Sequence, residues 1–265
     1  MTGLEIPAQF LIAYFLIHFR FIGMVFTFPL FAMAAMPMPF RYLIAVILTM
    51  ASAPAVNSAM ASHAIPLIFF DSAIAITVVV LREFLIGALL GLLASLPLVA
   101  LQVTGEKAGM SMALAMANFM DPATQQQTSL IGQFVFMVGI WFYFRWNGHL
   151  LMVQAIVESL RIVPLASMYL MPVTDMGIGQ WLTSLFSIGV RMVLPFYGTI
   201  LLADVGLGFL ARTVPQMNIF VLGLPLKIGL GFFVLMVALP LMVEFIFDHM
   251  EPWIAFAIMS ATAWR

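Results

Sequence analysis

The sequence predicts an all-α, membrane-associated fold, and three observations carry that expectation. Of 265 residues, 64% are hydrophobic and 8% charged, whereas soluble domains carry about 25% charged residues. Apolar runs long enough to span a bilayer, about 20 residues each, recur from one end of the chain to the other. Proline-containing breaks separate them, so the chain reads as one domain of successive helices without a long linker.

Six runs appear, at roughly 8–33, 40–56, 65–103, 129–160, 177–203 and 217–247. The first ends at Pro29 and the Met36-Pro37-Met38-Pro39 run, because proline removes a backbone donor and disfavours helix at the residue before it. Its start, with Glu5 ahead of it and His18 and Arg20 inside it, lacks the basic n-region of a cleavable signal, so this helix is expected to stay. The second run is short and closes at Ala53-Pro54. The third and fourth are too long for one span and are interrupted, by Arg82-Glu83 and by Arg145-Trp146-Asn147-Gly148-His149. Thr128 or Ser129 is placed to cap a helix beginning at Leu130. Gly87 and Gly91, with Ala88 and Ser95, make a close-packing helix face. Arg212 to Lys227, with Pro215, Gly223 and Pro225, reads as a hairpin whose backbone bends twice. The last residues, Glu251 to Arg265, form an amphiphilic tail carrying Trp253 and Trp264.

Charge placement argues against an ordinary six-span protein. If all six runs crossed, Arg41, Lys107 and Arg212 would lie on one side and Arg145, Arg161 and Arg265 on the other. Inserted proteins instead concentrate Lys and Arg on the cytoplasmic side. Arg20, Arg82, Glu83, Arg191, Lys227 and Glu244 lie inside apolar runs, where a central Arg, Lys or Asp costs roughly 2.5–3.5 kcal/mol to insert. They must face protein, water or one another. Arg82 and Glu83 are adjacent, point in different directions on a helix and are expected to have separate partners.

Several chemistries are excluded or lack support. The chain has no cysteine, which removes disulfides, thiolate metal sites and thiol catalysis. His18, His63, His149 and His249 show no ligand spacing. No catalytic residue, metal or cofactor is expected, and a formal net charge of -1 offers no footprint for nucleic acid.

The stretch from Thr104 to Pro122, TGEKAGMSMALAMANFMDP, breaks the pattern. Met110, Met112, Met116 and Met120 are unbranched and polarisable, suited to filling an irregular space without demanding one rotamer. Gly105 and Gly109 allow two readings: a hinge for a segment that closes a pore, or a small-xxx-small face packed in a bundle. Gln125-Gln126-Gln127 suits either a wet lumen or a solvent loop.

Together with Asn147-Gly148-His149, the RTVPQMNIFVLGLPLK segment and its preceding Asp204, the MPMPFR run and REFLIGALLG at 82–91, this stretch resembles the FliR family of flagellar export gate proteins, homologous to the SctT proteins of virulence type III secretion. The resemblance implies a FliP-like part over about residues 1–175 and a FliQ-like helical hairpin and tail over about 176–265. It implies a hetero-oligomer in the bacterial inner membrane, at the flagellar basal body, with one copy of this chain among FliP-type and FliQ-type subunits. FlhB-type and FlhA-type components would be neighbours, and unfolded flagellar proteins the substrates. It further implies a pore plug formed by a loop with Gly105, Glu106, Gly109, Met110, Met112, Met116, Phe119 and Asp121. Arg20, Arg82, Glu83, Arg191, Asp204, Arg212, Pro215, Lys227 and Glu244 would be assembly or buried-charge residues. Two other readings remain: a secondary transporter using the buried ionisable residues, and a purely structural assembly nucleus.

Overall fold

The computed structural model describes residues 8–32, 36–54, 56–57, 72–112, 129–166, 178–214, 216 and 219–262. These form eight helices and no strand: α1 (Ala8–Thr27), α2 (Pro29–Ala32), α3 (Met38–Ala51), α4 (Ala73–Ser111), α5 (Leu130–Arg145), α6 (Gly148–Ile162), α7 (Ile178–Thr213) and α8 (Ile219–Thr262). The all-α expectation therefore holds among the described residues.

Among the described residues, four stretches are long and apolar enough to cross a membrane: Gln9–Thr27, Ala73–Ser111, Phe186–Thr213 and Val221–Ile246. The six apolar runs reduce to these four for two reasons. The second run supplies the 14-residue α3, about 21 Å long at 1.5 Å per residue against a hydrocarbon core of about 30 Å. The fourth run is divided at Asn147, whose φ of 58° puts it in the left-handed region that Asn tolerates better than most residues. Trp146 still closes α5 by donating to the Phe142 carbonyl at 3.0 Å, and the Asn147 carbonyl accepts from Leu150 at 2.8 Å to open α6. By contrast, α4 with 39 residues is about 58 Å long, nearly twice the hydrocarbon core.

Two compact units divide the chain, and they interleave along it. The first comprises Met1–Leu96, Asn147–Ile178 and Met250–Arg265; the second comprises Pro97–Trp146 and Gly179–His249. The boundary within α4 falls at Pro97, which lies inside the helix and removes one of its backbone hydrogen bonds.

In the first unit, α1 and α4 meet backbone to backbone. A Cβ added at Gly87 would lie 2.6 Å from the Arg20 carbonyl carbon, one at Gly91 2.7 Å from the Met24 oxygen, and one at Gly23 2.7 Å from the Ala88 nitrogen. The small-residue face read from the sequence is thus a close crossing. Leu16, Phe21 and Met24 of α1, Ile86 and Leu93 of α4, and Ile156 of α6 are buried in this unit. The short α3 lies along α1, with the Phe26 and Tyr42 rings 5.4 Å apart and the Arg41 guanidinium 6.0 Å from the Phe26 ring centre.

The second unit contains the end of α4, α5 and most of an α7–α8 hairpin. Gly105 faces Gly132, where an added Cβ would come within 2.9 Å of the Gly132 Cα, and Gly139 faces Leu98 and Leu101. In the hairpin, Lys227 Nζ lies 2.5 Å from Asp204 Oδ1. The bend expected at Gly223 and Pro225 is not present: α8 continues through both without a break. Pro225 is the seventh residue of α8, past the first turn, so it removes the backbone bond to the Val221 carbonyl without ending the helix.

The glycine crossing generates a paired prediction. Gly87→Ala is expected to destabilise the detergent-solubilised chain by about 1–3 kcal/mol through overpacking. Gly198→Ala, where an added Cβ meets nothing within 4 Å, is expected to be neutral or to gain up to about 1 kcal/mol of helix propensity. Melting curves of both variants check the pair; equal shifts would contradict the close approach of α1 and α4.

Candidate functional site

Two features concentrate the residues singled out by the sequence: a buried ion network in the first unit, and the pinned ends of the Met-rich segment in the second. The network begins with Arg20 on α1 and Glu83 on α4, both completely buried. Arg20 Nε donates to Glu83 Oε2 at 2.8 Å, and Nη2 lies 2.5 Å from the same oxygen. The remaining guanidinium donors reach Ser159 Oγ on α6 at 2.9 Å and the Val163 carbonyl at 3.3 Å. The other carboxylate oxygen of Glu83 accepts from the Ala166 backbone N–H at 3.4 Å.

That satisfaction is what makes the burial tolerable. An isolated charge in an apolar interior is prohibitive, whereas a paired one with its remaining donors and acceptors filled persists. Arginine suits the position because its planar fork presents five donors in fixed directions and stays charged. Arg82 is also buried, at 3% exposure, and its Nη1 lies 3.5 Å from Glu83 Oε1. Separate partners for Arg82 and Glu83 is therefore half right. Arg20 is the principal partner of Glu83, but the two neighbours also meet, because long side chains curl toward one carboxylate.

Sequence reasoning missed Ser159, Val163 and Ala166. Ser159 is an ordinary helix residue that also donates to the Ile156 carbonyl at 2.6 Å. Ala166 is held at φ 60°, a conformation unusual for a residue with a Cβ, and no local pattern announces it.

In the second unit, the plug residues divide. Gly105, Glu106, Gly109 and Met110 are not in a loop: they lie in the last turns of α4, which runs to Ser111. Here packing wins over the hinge, because Gly105 and Gly109 admit the backbone and side chains of the α5 start. A Cβ at Gly109 would run into the Ser129 hydroxyl and lie 3.3 Å from Ser129 Cβ. Glu106 accepts from Gln102 Nε2 at 3.1 Å, and Met110 is exposed.

Met112, completely buried, donates its N–H to the Ala108 carbonyl at 3.0 Å. Its side chain seats on Gly231 of α8, where an added Cβ would come within 2.7 Å of the sulfur. Met116, Phe119 and Asp121 lie outside the described residues, as does Pro215. The residues flanking 113–128 nevertheless come together. Ser129 abuts Gly109 and accepts from the Gly132 N–H at 3.4 Å, capping α5 as expected. The described residues on either side of 113–128 therefore lie close together in the second unit.

The remaining charges behave differently from Arg20 and Glu83. Asp204 and Lys227 form the hairpin ion pair and are partly exposed. Arg191, Arg212 and Glu244 are exposed. The apolar runs that hold Arg191 and Glu244 thus do not bury them within this chain.

Residues 11–252 match the family of bacterial export proteins, family 1. The chain belongs to that family, the FliR family. Among its relatives, the flagellar biosynthetic protein FliR of Bacillus subtilis (strain 168) is 34% identical over 165 residues, covering 60% of this chain and 62% of that protein. FliR of Escherichia coli (strain K12) is 26% identical over 88% of this chain and 86% of its own length. FliR of Aquifex aeolicus (strain VF5) is 26% identical over 92% and 91%. Family membership makes the chain a membrane component of bacterial flagellar biosynthesis and export.

The ion network makes a prediction that distinguishes a frame from a surface contact. Arg20→Ala and Glu83→Ala are each expected to cost about 3–5 kcal/mol, because each strands a buried charge. The double variant Arg20→Met with Glu83→Leu is expected to be far closer to wild type than the sum of the singles. Denaturant midpoints of the solubilised chain check this; additive losses would show that the pair is not coupled.

Proposed function

We propose that this chain is a core subunit of the flagellar type III export gate. In this reading it forms, with FliP-type and FliQ-type subunits, a closed pore through which unfolded flagellar proteins pass. One copy is present per assembly, in the bacterial inner membrane at the flagellar basal body, with FlhB-type and FlhA-type components nearby. Residues 1–175 form the FliP-like part and 176–265 the FliQ-like hairpin and tail. The chain acts sterically and not as an enzyme.

Family membership supports the export assignment, and the placement of charge supports a hetero-oligomer. Arg191 and Glu244 lie within stretches apolar enough to cross a membrane yet are exposed on this chain. Lipid would penalise them by a few kcal/mol each, so they suit partner subunits or an aqueous channel. The breadth of exposed apolar surface on the hairpin, including Leu202, Phe209, Phe233 and Met236, also fits burial against neighbours.

The single observation that carries the plug is the pinning of both ends of 113–128. Met112 on Gly231 and Ser129 on Gly109 hold the flanks while the Met-rich stretch between them, with Met116 and Phe119, is available to occlude a pore. Met112 is the anchor of the plug, and Gly105 and Gly109 are its seat.

Two outcomes test this reading. Co-expression with the FliP-type and FliQ-type partners is expected to yield an assembly with one copy of this chain by native mass spectrometry; a stable monomer ignoring them would overturn it. Deleting residues 114–120 while keeping Met112 and Ser129 is expected to leave that assembly intact and make membranes conduct ions. An assembled gate with unchanged conductance would remove the plug.

A further inference from the structure

A cavity of about 330 Å³ opens between α4 and α7 in the second unit, independent of the ion network. Val99, Val103 and Lys107 line it from α4, and Phe186, Val190 and Tyr197 from α7. The α4 residues recur every four positions and so form one stripe, with Lys107 at its C-terminal end. Everything along that stripe before Lys107 is apolar. From Phe186 to Tyr197 the α7 wall rises about 16 Å, close to half of a hydrocarbon core of about 30 Å, which is the depth of one leaflet. Both walls belong to stretches long and apolar enough to cross a membrane.

We propose that this cleft binds one anionic phospholipid, with an acyl chain along the Val99–Val103 and Phe186–Val190 walls and the headgroup phosphate at Lys107. The charge distribution selects this occupant. A partner helix filling the cleft would need an acidic residue at one end only, whereas a lipid carries a single charge at one end of an apolar body by construction. Lys107 is exposed and its four-carbon stem lets the ammonium reach the headgroup level while the stem stays in apolar surroundings. Basic residues at the ends of clefts between membrane helices are the usual way such headgroups are held.

Gly189 offers a selective way to close the site. It lines the cavity, and an added Cβ there meets nothing within 4 Å, so a large side chain enters the cleft without displacing a helix.

The test uses the full chain extracted from membranes with the subunits that accompany it, exposed to micelles containing phosphatidylglycerol or phosphatidylcholine and analysed by native mass spectrometry. One phosphatidylglycerol per chain is expected to be retained, about fivefold in preference to phosphatidylcholine for the one cationic contact. Lys107→Gln is expected to abolish the preference, and Gly189→Phe to abolish retention of both lipids. Excess inorganic phosphate is expected not to compete, because it lacks the apolar body. Retention of both lipids alike by the wild type would overturn the proposal, as would a preference unchanged in Lys107→Gln. A photoreactive residue at Val190 that cross-links to a protein neighbour and not to lipid would also overturn it. Unaltered circular dichroism and elution volume of both variants separate loss of binding from loss of fold.

Discussion

Placing Arg20 and Glu83 together with no exposure to solvent is the constraint on which the first unit depends. The pair is held on α1 and α4, and its outer donors and acceptors are filled by Ser159, Val163 and Ala166 from α6 and the residues just beyond it. Three chain segments far apart in sequence must therefore arrive in one register. The glycine crossing meets the same requirement from the other side, since Gly87 lets the α4 backbone approach the Arg20 carbonyl. Hydrophobic packing tolerates sliding and rotation of helices; a guanidinium with five directed donors does not. A buried ion pair of this kind adds little net stability over well-packed apolar residues, but it fixes which segments meet and how.

Charge is used in a second way on the hairpin. Asp204 and Lys227 fasten α7 to α8 near the turn, where partial exposure keeps desolvation modest. Farther along the same helices, Arg191 and Glu244 project outward. Arg20 and Glu83 are thus consumed inside the first unit, whereas Arg191 and Glu244 are presented by the second.

Much of this was legible in the sequence where local chemistry decides the outcome. Pro29, Ala53-Pro54 and Ser129 marked helix ends because backbone donors and caps act within a turn. Gly87 and Gly91 announced a close crossing by spacing alone. The fourth apolar run carried its own break in Asn147-Gly148. Non-local features were not legible. That Glu83 pairs with Arg20, 63 positions away, and that Met112 rests on Gly231 follow from tertiary contact, which periodicity does not encode. The residues allowed two readings of Gly105 and Gly109, and the proximity of Gly132 and Ser129 decides for packing. Nor does composition distinguish an apolar helix that crosses a bilayer from one that packs on protein, so six runs became four candidate spans.

The joining of Gly109 to Ser129 has a consequence for variation. Because the described residues on either side of 113–128 lie close together in the second unit, the length of that segment is decoupled from the geometry of the helices that carry it. Doubling the length of a flexible connection costs only about 0.6 kcal/mol in closure entropy. Insertions, deletions and changes of bulk there can accumulate while α4, α5 and α8 keep their places, so this segment is where a lineage can vary without rebuilding the helices around it.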